Sequence, residues 1–277
     1  MKIFFFKYQA TGNDFIIINN LCKQFSLKEK IIQRLCNRNL GIGADGLILI
    51  EKIKNYDFYM KYYNSDGKEG SMCGNGGRCS VHFAKKIGVI HNNNTLFKTI
   101  DGYHYATINK NIVSINMTNV EFITVEVDKK SIFLNTGSPH HIIFIKKIEN
   151  INIKKKGRKL QSSKKYLKTG VNVNFVKINK HILYVRTYER GVENETLSCG
   201  TGVTASVIAA YHKKKIFFKK ILVKTRGGLL QVKFDTLIQS YKSTLIQSYK
   251  STLIQYYKRI FLKGEVNFVY KGVIKIN

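Results

Sequence analysis

Two cysteines, Cys73 and Cys199, each stand directly before a Gly-x-Gly sequence that opens a predicted helix. A side chain at that position lies at the positive end of the helix dipole, near N–H groups that have no partner within the helix. This environment favours the thiolate and lowers the thiol pKa toward neutrality, as a general base requires. The same amides can bind a carboxylate, and the glycines allow its oxygens to approach the backbone. Each cysteine therefore predicts a proton-transfer group beside an anion-binding group.

Other interpretations of these thiols remain open. A cysteine before a glycine can be a buried structural thiol. Cys73, Cys79 and His82 have residue types that bind zinc, although their spacing matches no usual zinc pattern; no metal is expected. A disulfide between Cys73 and Cys199 would inactivate such a site. The odd total of five cysteines favours reduced thiols in a cytosol. The remaining cysteines are predicted to be packing residues: Cys22, Cys36 and Cys79.

The two cysteine motifs belong to an internal repeat. Four segment pairs keep one order at an offset of 125 or 126 residues: 12–15 with 137–140, 63–65 with 188–190, 73–76 with 199–202, and 99–102 with 225–228. Four matches in one register predict two similar halves. We expect an N-terminal half at 1–118, joined by the C-terminal strand 265–277, and a C-terminal half at 119–264.

Two equivalent thiols suit the inversion of a stereocentre. One thiol would remove the α-proton of an amino acid from one face, and the other would deliver a proton to the opposite face. We expect this site in the cleft between the halves. Because an α-proton beside a carboxylate is weakly acidic, amides aimed at the developing charge must stabilise the carbanion by several kcal/mol, in order of magnitude.

The elements that must position these thiols follow the same pattern in both halves. Apolar or β-branched runs bounded by Gly, Asn and Asp predict strands at 15–18, 47–50, 58–63, 171–178 and 181–188. Helices are predicted at 77–87 and 203–214, and the second is apolar or small nearly all round, which indicates burial. The expected fold is α/β of the α+β type, with two pseudo-symmetric halves that each wrap a mixed β-sheet around a central helix.

The formal net charge of +30 raises nucleic-acid binding as an alternative. Only 8 of the 47 basic residues are Arg, however, and 35 residues are Ile, so an AT-rich genome accounts for the composition. The run 154–168 has eight basic residues but one aromatic, Tyr166, unlike a nucleic-acid footprint. No stretch of eighteen apolar residues occurs, and the apolar start is too short for a secretory signal. We therefore expect a cytoplasmic protein that binds neither nucleic acid nor membrane.

Residues 235–258 contain three near-identical octads, DTLIQSYK, STLIQSYK and STLIQYYK. Near-identity over a short tandem is typical of recent slippage. The octads are predicted to form a surface insertion, which long loops tolerate at little entropic cost, and no function is assigned to them.

Taken together, the motifs resemble those of the diaminopimelate epimerase family over almost the whole chain except the octads. The motifs that carry the resemblance are GNDF (12–15), GIGADG (41–46), YNSDG (63–67), MCGNGGRC (72–79), GSPH (137–140), YERG (188–191), ETLSCGTG (195–202) and GGL (227–229). The resemblance implies a homodimeric, cofactor-independent enzyme. It would interconvert LL- and meso-diaminopimelate on the route to lysine and peptidoglycan precursors.

The resemblance also implies roles for individual residues. Cys73 and Cys199 correspond to the acid/base thiols. The carboxylate clamp corresponds to Gly74, Asn75, Gly200 and Thr201. The substrate contacts correspond to Asn13, Asn64, Asn172, Glu189 and Arg190, and His140 and Glu189 correspond to residues that support catalysis. From residue type alone, the less favoured alternatives are that the three asparagines are turn residues, that Glu189 and Arg190 are a solvated strand end, and that His140 is a packing or capping residue.

The sequence departs from the family at three positions. Many relatives carry Gln in place of Gly46 and Asn in place of Ser138, so two polar contacts are lost or altered here, and Arg226 stands where Pro is common. A related cofactor-free racemase, acting on an amino acid such as proline, is the nearest alternative. The charged pair Glu189 and Arg190 favours a substrate with a second charged end.

Overall fold

The computed structural model describes residues 2–121, 125–128, 131–241 and 252–276. The chain separates into two compact units. The first comprises Met1–Asn116, Gly227–Leu229 and Lys263–Asn277, and the second comprises Met117–Arg226 and Leu230–Leu262. The last strand of the chain therefore belongs to the first unit.

The helices and strands are as follows, in chain order. Up to residue 116 they are β1 (Lys2–Ala10), β2 (Asn13–Asn19), α1 (Glu29–Cys36), β3 (Gly46–Glu51), β4 (Tyr59–Asn64), α2 (Gly74–Lys86), β5 (Asn94–Thr99), β6 (Gly102–Asn109) and β7 (Ile112–Asn116). They continue with β8 (Val120–Glu121), β9 (Val125–Asp128), β10 (Ser131–Asn135), β11 (Pro139–Phe144), α3 (Ile153–Gln161), β12 (Asn172–Asn179), β13 (Ile182–Glu189), β14 (Asn194–Thr196), α4 (Gly200–His212), β15 (Lys220–Thr225), β16 (Gly228–Tyr241), β17 (Thr252–Glu265) and β18 (Asn267–Lys275).

Each unit wraps a mixed sheet around one helix. In the first unit, β1 runs antiparallel to β2 and β18, β2 is parallel to β3, and β3 is antiparallel to β4. Helix α2 packs on this sheet and buries most of its residues. In the second unit, β10 is antiparallel to β11, β11 is parallel to β12, and β12 is antiparallel to β13, while α4 packs on these strands. The predicted fold class is confirmed.

The internal repeat is also a repeat of strand register. The matching residue pairs are Phe15 with Gly46 and Leu47 with Tyr63 in the first unit, and His140 with Asn172 and Val173 with Tyr188 in the second. Each position moves by the 125 or 126 residues found in the sequence. Because a one-residue slip would turn every side chain to the other face of the sheet, this agreement places equivalent residues at equivalent edges.

Both central helices begin earlier than predicted, directly after their cysteines at Gly74 and Gly200. The glycines of the motif therefore lie inside the helix, where the sheet packs tightly on them. A Cβ on Gly76 would lie 3.3 Å from the side chains of Ile48, Met60 and Phe15. Helices α1 and α3 were not predicted.

The described residues of the first and third octads lie in strands rather than in a loop. Residues 242–251 lie outside the described residues, but the flanking octads continue β16 and β17. Tyr257 in the third copy is fully buried against Phe234 and Tyr211, so the prediction is wrong for this residue. An ion pair of 2.6 Å between Asp235 and Arg259 also links the two strands. The third copy leads into the buried end of β17, which explains why its tyrosine enters the core.

All five cysteines are described, and none forms a disulfide. Cys36 and Cys79 are buried as predicted, whereas Cys22 is exposed, so its prediction as a packing residue is wrong. Among the described residues, no helix has the length and apolar character to span a membrane.

Candidate active site

Cys73 is the N-cap of α2, which confirms the predicted position of this thiol. Its backbone is extended (φ −84°, ψ 123°), and its side chain is half-buried. The first helical hydrogen bond runs from Gly77 N–H to the Cys73 carbonyl at 2.7 Å. The amides before Gly77 therefore point out of the helix end, where an anion can bind.

Two asparagines predicted to bind substrate lie beside this thiol. Cys73 Sγ is 3.5 Å from Asn13 Oδ1, and Asn75 Nδ2 donates to the same oxygen at 3.2 Å. Asn13 Nδ2 donates to Asp45 Oδ2 at 2.6 Å, which turns Asn13 Oδ1 toward the thiol. The structure thus brings Asn13, Cys73, Gly74 and Asn75 together.

A cluster of charges holds the start of β2 in place. The guanidinium of Arg38 donates to Asp14 and to Asp45 at 2.8 Å, and the buried Lys7 ammonium lies 2.8 Å from Asp14. Burial alone would raise the pKa of Asp14, but the hydrogen bonds from Arg38 and Lys7 hold it well below its usual range. Asp45, which orients Asn13, is thereby fixed by charged partners. Sequence reasoning passed over this cluster.

Asn64 lies at the same sheet edge, at the end of β4, where it pairs with Gly46. The Tyr62 hydroxyl donates to Asn64 Oδ1 at 2.9 Å. A Cβ on residue 46 would lie 2.6 Å from the Tyr62 ring. The departure at Gly46 is therefore matched by Tyr62, whose ring occupies the space of a side chain at position 46.

Cys199 repeats the arrangement in the second unit. It is the N-cap of α4, it is buried, and Val203 N–H donates to its carbonyl at 2.9 Å. Its sulfur lies 3.4 Å from Thr201 Oγ1. Thr201 is a predicted clamp residue, and Thr136 Oγ1 donates to its carbonyl at 3.0 Å.

A directed chain of hydrogen bonds leads to Cys199 from β12. Thr187 Oγ1 donates to Asn174 Oδ1 at 2.9 Å, so the Asn174 amide nitrogen must be the donor to His140 Nδ1, 3.0 Å away. The ring proton of His140 is then on Nε2, which donates to Ser138 Oγ at 3.0 Å. Sequence reasoning missed Asn174, although its alternation with Asn172 along β12 was a usable signal.

Ser138 continues this chain of oriented hydrogen bonds toward the thiol of Cys199. Asn172 Oδ1 accepts from Arg190 N–H at 2.8 Å, so Asn172 Nδ2 is the donor to Ser138 Oγ at 3.2 Å. Ser138 then has its own hydroxyl proton left for Thr201 Oγ1, 3.2 Å away. The Thr201 hydroxyl then has its proton available for Cys199 Sγ, 3.4 Å away, and this bond would stabilise negative charge on sulfur.

Gly202 makes this chain possible. A Cβ on residue 202 would lie 2.3 Å from Asn174 Oδ1 and 3.3 Å from His140 Cε1. The second glycine of the motif therefore lets α4 approach the two polar side chains that orient the thiol's neighbours.

His140 is fully buried, and burial, followed by the charge of Arg190, lowers its pKa to about 3. The imidazole is therefore neutral at physiological pH. Because its pKa is near 6.5 when unfolded, the unfolded state binds more protons between pH 6.5 and 3, and stability decreases as the pH is lowered through this window. At pH 5, the loss is about 2 kcal/mol.

This pH dependence can be measured by urea unfolding at pH 7.5 and pH 5 for the wild type and His140→Gln. We expect the wild type to lose about 2 kcal/mol more of its free energy of unfolding than the variant between these pH values. Because other groups titrate alike in both proteins, the difference isolates His140. Equal losses would show that His140 is not buried as a neutral ring.

Glu189 is the last residue of β13 and Arg190 follows it, next to the start of β12. Glu189 is half-buried and Arg190 is exposed. The Arg190 guanidinium donates to the Thr169 carbonyl at 2.8 Å, and a Cβ on Gly170 would lie 2.4 Å from Arg190 Cδ. The charged pair is thus held at the same sheet edge as Asn172 and His140.

The alternative metal site is not formed. Within the ranges that the structure describes, no three side chains of metal-binding types are placed to hold an ion. Cys79 is instead buried in α2, where desolvation raises its pKa.

Comparison with known proteins identifies the family. The sequence model of diaminopimelate epimerase matches residues 5–123 and 132–242. The chain is 46% identical to the diaminopimelate epimerase of Flavobacterium psychrophilum over 99% of this chain and 100% of that one, and 39% identical to that of Aquifex aeolicus over 81% and 87%. Its fold is similar to a hydroxyproline epimerase from Agrobacterium vitis, with a TM-score of 0.69 and 11% identity, covering 99% of this chain and 92% of that one. With two thiols at equivalent helix N-termini and a family match along nearly its whole length, this chain belongs to the diaminopimelate epimerase family of isomerases.

Proposed function

We propose that the protein interconverts LL- and meso-diaminopimelate, in lysine and peptidoglycan precursor synthesis, with Cys73 and Cys199 as the two acid/base groups and without a cofactor. The observation that carries this proposal is the equivalence of the two thiols. Each thiol caps a buried helix, and the strands of the two units pair at equivalent positions along the repeat. Family membership supports diaminopimelate as the substrate, and the equivalent positions of the two thiols support acid/base catalysis.

In this mechanism, one cysteine starts as thiolate and the other as thiol. The thiolate takes the α-proton onto its sulfur, and the other S–H gives its proton to the opposite face of the carbon. The thiol and thiolate have then exchanged, and the net charge is unchanged. The mechanism requires both sulfurs to reach one α-carbon from opposite sides.

The reacting carboxylate is proposed to bind the helix ends. The N–H groups of Gly74 and Asn75, and of Gly200 and Thr201, precede the first helical hydrogen bonds. As the carbanion forms, charge moves onto the carboxylate, and donors already aimed at it stabilise the transition state without reorganising. His140 supports Cys199 through Ser138 and Thr201.

The rest of the substrate is proposed to bind the polar residues at the two sheet edges. Arg190 can bind a carboxylate, Glu189 can accept from an ammonium group, and the amides of Asn13, Asn64 and Asn172 can serve either pole of the zwitterion. The working form is proposed to be a cytoplasmic homodimer, which sedimentation equilibrium would test.

The function is tested by incubating reduced protein with LL-diaminopimelate in deuterated water. We expect meso product that carries one solvent deuterium at the inverted carbon. In the first turnovers the recovered substrate should remain unlabelled. The thiol that holds solvent deuterium adds it only to the product face, and the proton taken from the substrate is on the other thiol. Turnover of proline instead of diaminopimelate, or inversion that retains the original hydrogen, would contradict the proposal.

Ser138→Ala tests the hydrogen-bond chain to Cys199. The variant loses the donor to Thr201 and leaves the His140 N–H without its acceptor, so we expect kcat to fall about tenfold, with a smaller effect on KM. The matched control is Ser206→Ala, which removes a buried hydroxyl that only donates to the Gly202 carbonyl. A wild-type kcat in Ser138→Ala would show that the chain plays no part.

A further inference from the structure

Arg78 is an unusual residue in the core of the first unit. It lies in α2, one turn after the clamp residues, and it is 0% exposed. Its guanidinium donates to the Gly74 carbonyl at 3.2 Å, to Asn75 Oδ1 at 2.9 Å and to Thr11 Oγ1 at 3.5 Å. Its Nε has no partner among the described residues. All of its acceptors are neutral.

A buried cation with only neutral partners is unfavourable for folding. Taking a charge out of water costs several kcal/mol unless a counter-charge or enough hydrogen bonds compensate. A cation near a helix N-terminus is also repelled by the helix dipole. Packing alone therefore does not explain why Arg occupies this position. We expect a negative charge to form or bind near its guanidinium during the reaction.

The charged and titratable groups around Arg78 narrow the choice of that negative charge. Those on α2 and on the strands packed against it that are buried or half-buried are Lys7, Tyr8, Asp14, Glu51, Tyr59, Lys61, Tyr62, Tyr63, Cys73, Cys79, His82, Lys85 and His104. Glu51 already accepts a hydrogen bond from Asn20 at 2.7 Å. Burial raises the pKa of both Tyr8 and Cys79, which keeps them protonated. Asp14 is already paired with Lys7 and Arg38. Burial lowers the pKa of Arg78 to about 10, so it remains a cation at neutral pH, and it interacts electrostatically first with Cys79 and then with Cys73. Because burial keeps Cys79 protonated, Cys73 is the thiol whose negative charge Arg78 can favour.

Resting on the proposed function, we propose that Arg78 is a positioning residue for the first thiol: its buried charge favours the thiolate of Cys73, and its hydrogen bond fixes the Asn75 amide. Because Asn75 Oδ1 accepts from Arg78, Asn75 Nδ2 must point to Asn13 Oδ1, as observed. The carboxylate clamp and the neighbour of the sulfur are thus set by one guanidinium.

The second unit has no such charge at the equivalent position. At the offset of 126 residues stands Thr204, whose hydroxyl donates to the Gly200 carbonyl at 3.0 Å. Cys199 is instead approached by the neutral chain from His140. The two thiols are therefore unlike in the substrate-free enzyme, and Cys73 is expected to be the more acidic one.

The test measures the alkylation rate of Cys73 by iodoacetamide against pH, read by peptide mass spectrometry in a Cys199→Ser background. Exposed Cys22 in the same digest is the reference thiol. In this Cys199→Ser parent protein, we expect the pH midpoint of the Cys73 alkylation rate to lie below that of the Cys22 rate. Arg78→Met should raise the Cys73 midpoint by about one pH unit and, with both cysteines present, lower kcat/KM at least about tenfold. Arg78→Lys should restore most of the midpoint shift, because it keeps the charge.

The control is Arg34→Met, the same substitution at an exposed residue of α1, which should leave the Cys73 midpoint unchanged. An unchanged midpoint in folded Arg78→Met overturns the inference. If that variant does not fold, the parent protein still decides, because a Cys73 midpoint at or above that of Cys22 overturns it too. Failure of the proposed function is distinct: the wild type would then not epimerise diaminopimelate, whatever the alkylation profile of Cys73.

Discussion

Replacing either Cys73 or Cys199 with alanine is expected to lower kcat for epimerisation by about 10³-fold or more. Each thiol is the only proposed acid/base group for one face of the α-carbon, so the remaining thiol cannot complete an inversion. Both thiols sit on helix N-caps whose backbone does not depend on sulfur. The variants should therefore fold, and circular dichroism and urea unfolding would check this.

A finer outcome separates two bases from one. In deuterated water, Cys73→Ala should exchange the α-proton of one stereoisomer only, and Cys199→Ala that of the other, because each retains the base for one face. Cys22→Ala, at the exposed thiol, is the control and should match the wild type. Near-normal turnover by either active-site variant, or the same stereoisomer exchanged by both, would contradict the two-base mechanism.

Replacing Arg190 with methionine is expected to lower kcat/KM for diaminopimelate by about 10²-fold, as the loss of a charge-assisted carboxylate contact would. This guanidinium lies at the sheet edge, where it donates to the Thr169 carbonyl. The aliphatic part of the Arg190 side chain packs over Gly170. Arg158→Met, at an exposed arginine of α3, is the matched control and should leave kcat/KM unchanged.

The free amino acid lysine, tested as a substrate, shows which carboxylate Arg190 binds, because lysine lacks the second carboxylate of diaminopimelate. Its α-proton exchange in deuterated water can be followed with both proteins. If Arg190 binds the distal carboxylate, lysine should be a poor substrate for the wild type, and Arg190→Met should slow it little further. A loss for lysine as large as that for diaminopimelate would place Arg190 at the reacting end instead.

The prediction of the thiol positions succeeded because it depended on local sequence. A cysteine followed by Gly-x-Gly and a small, apolar run defines a helix start within a few residues. The repeat offset then fixed which strands correspond, and the registers of His140 with Asn172 and of Phe15 with Gly46 agree with it. The errors at Tyr257 and Cys22 concern burial, which depends on what the rest of the chain places nearby.

The sequence by itself thus determined the family, the fold class and the two thiols at helix ends, because these follow from short motifs and from the order in which they recur. Only the tertiary structure decided how each thiol is surrounded. The proton direction through His140 and Ser138 depends on the bonds from Asn174 to His140 and from Asn172 to Ser138, each between residues 34 apart in the chain. The burial of Arg78 under the strands packed on α2 and the ring of Tyr62 over Gly46 likewise arise from packing between separate elements. Hydrogen-bond direction and desolvation are properties of such contacts, and no local pattern specifies them.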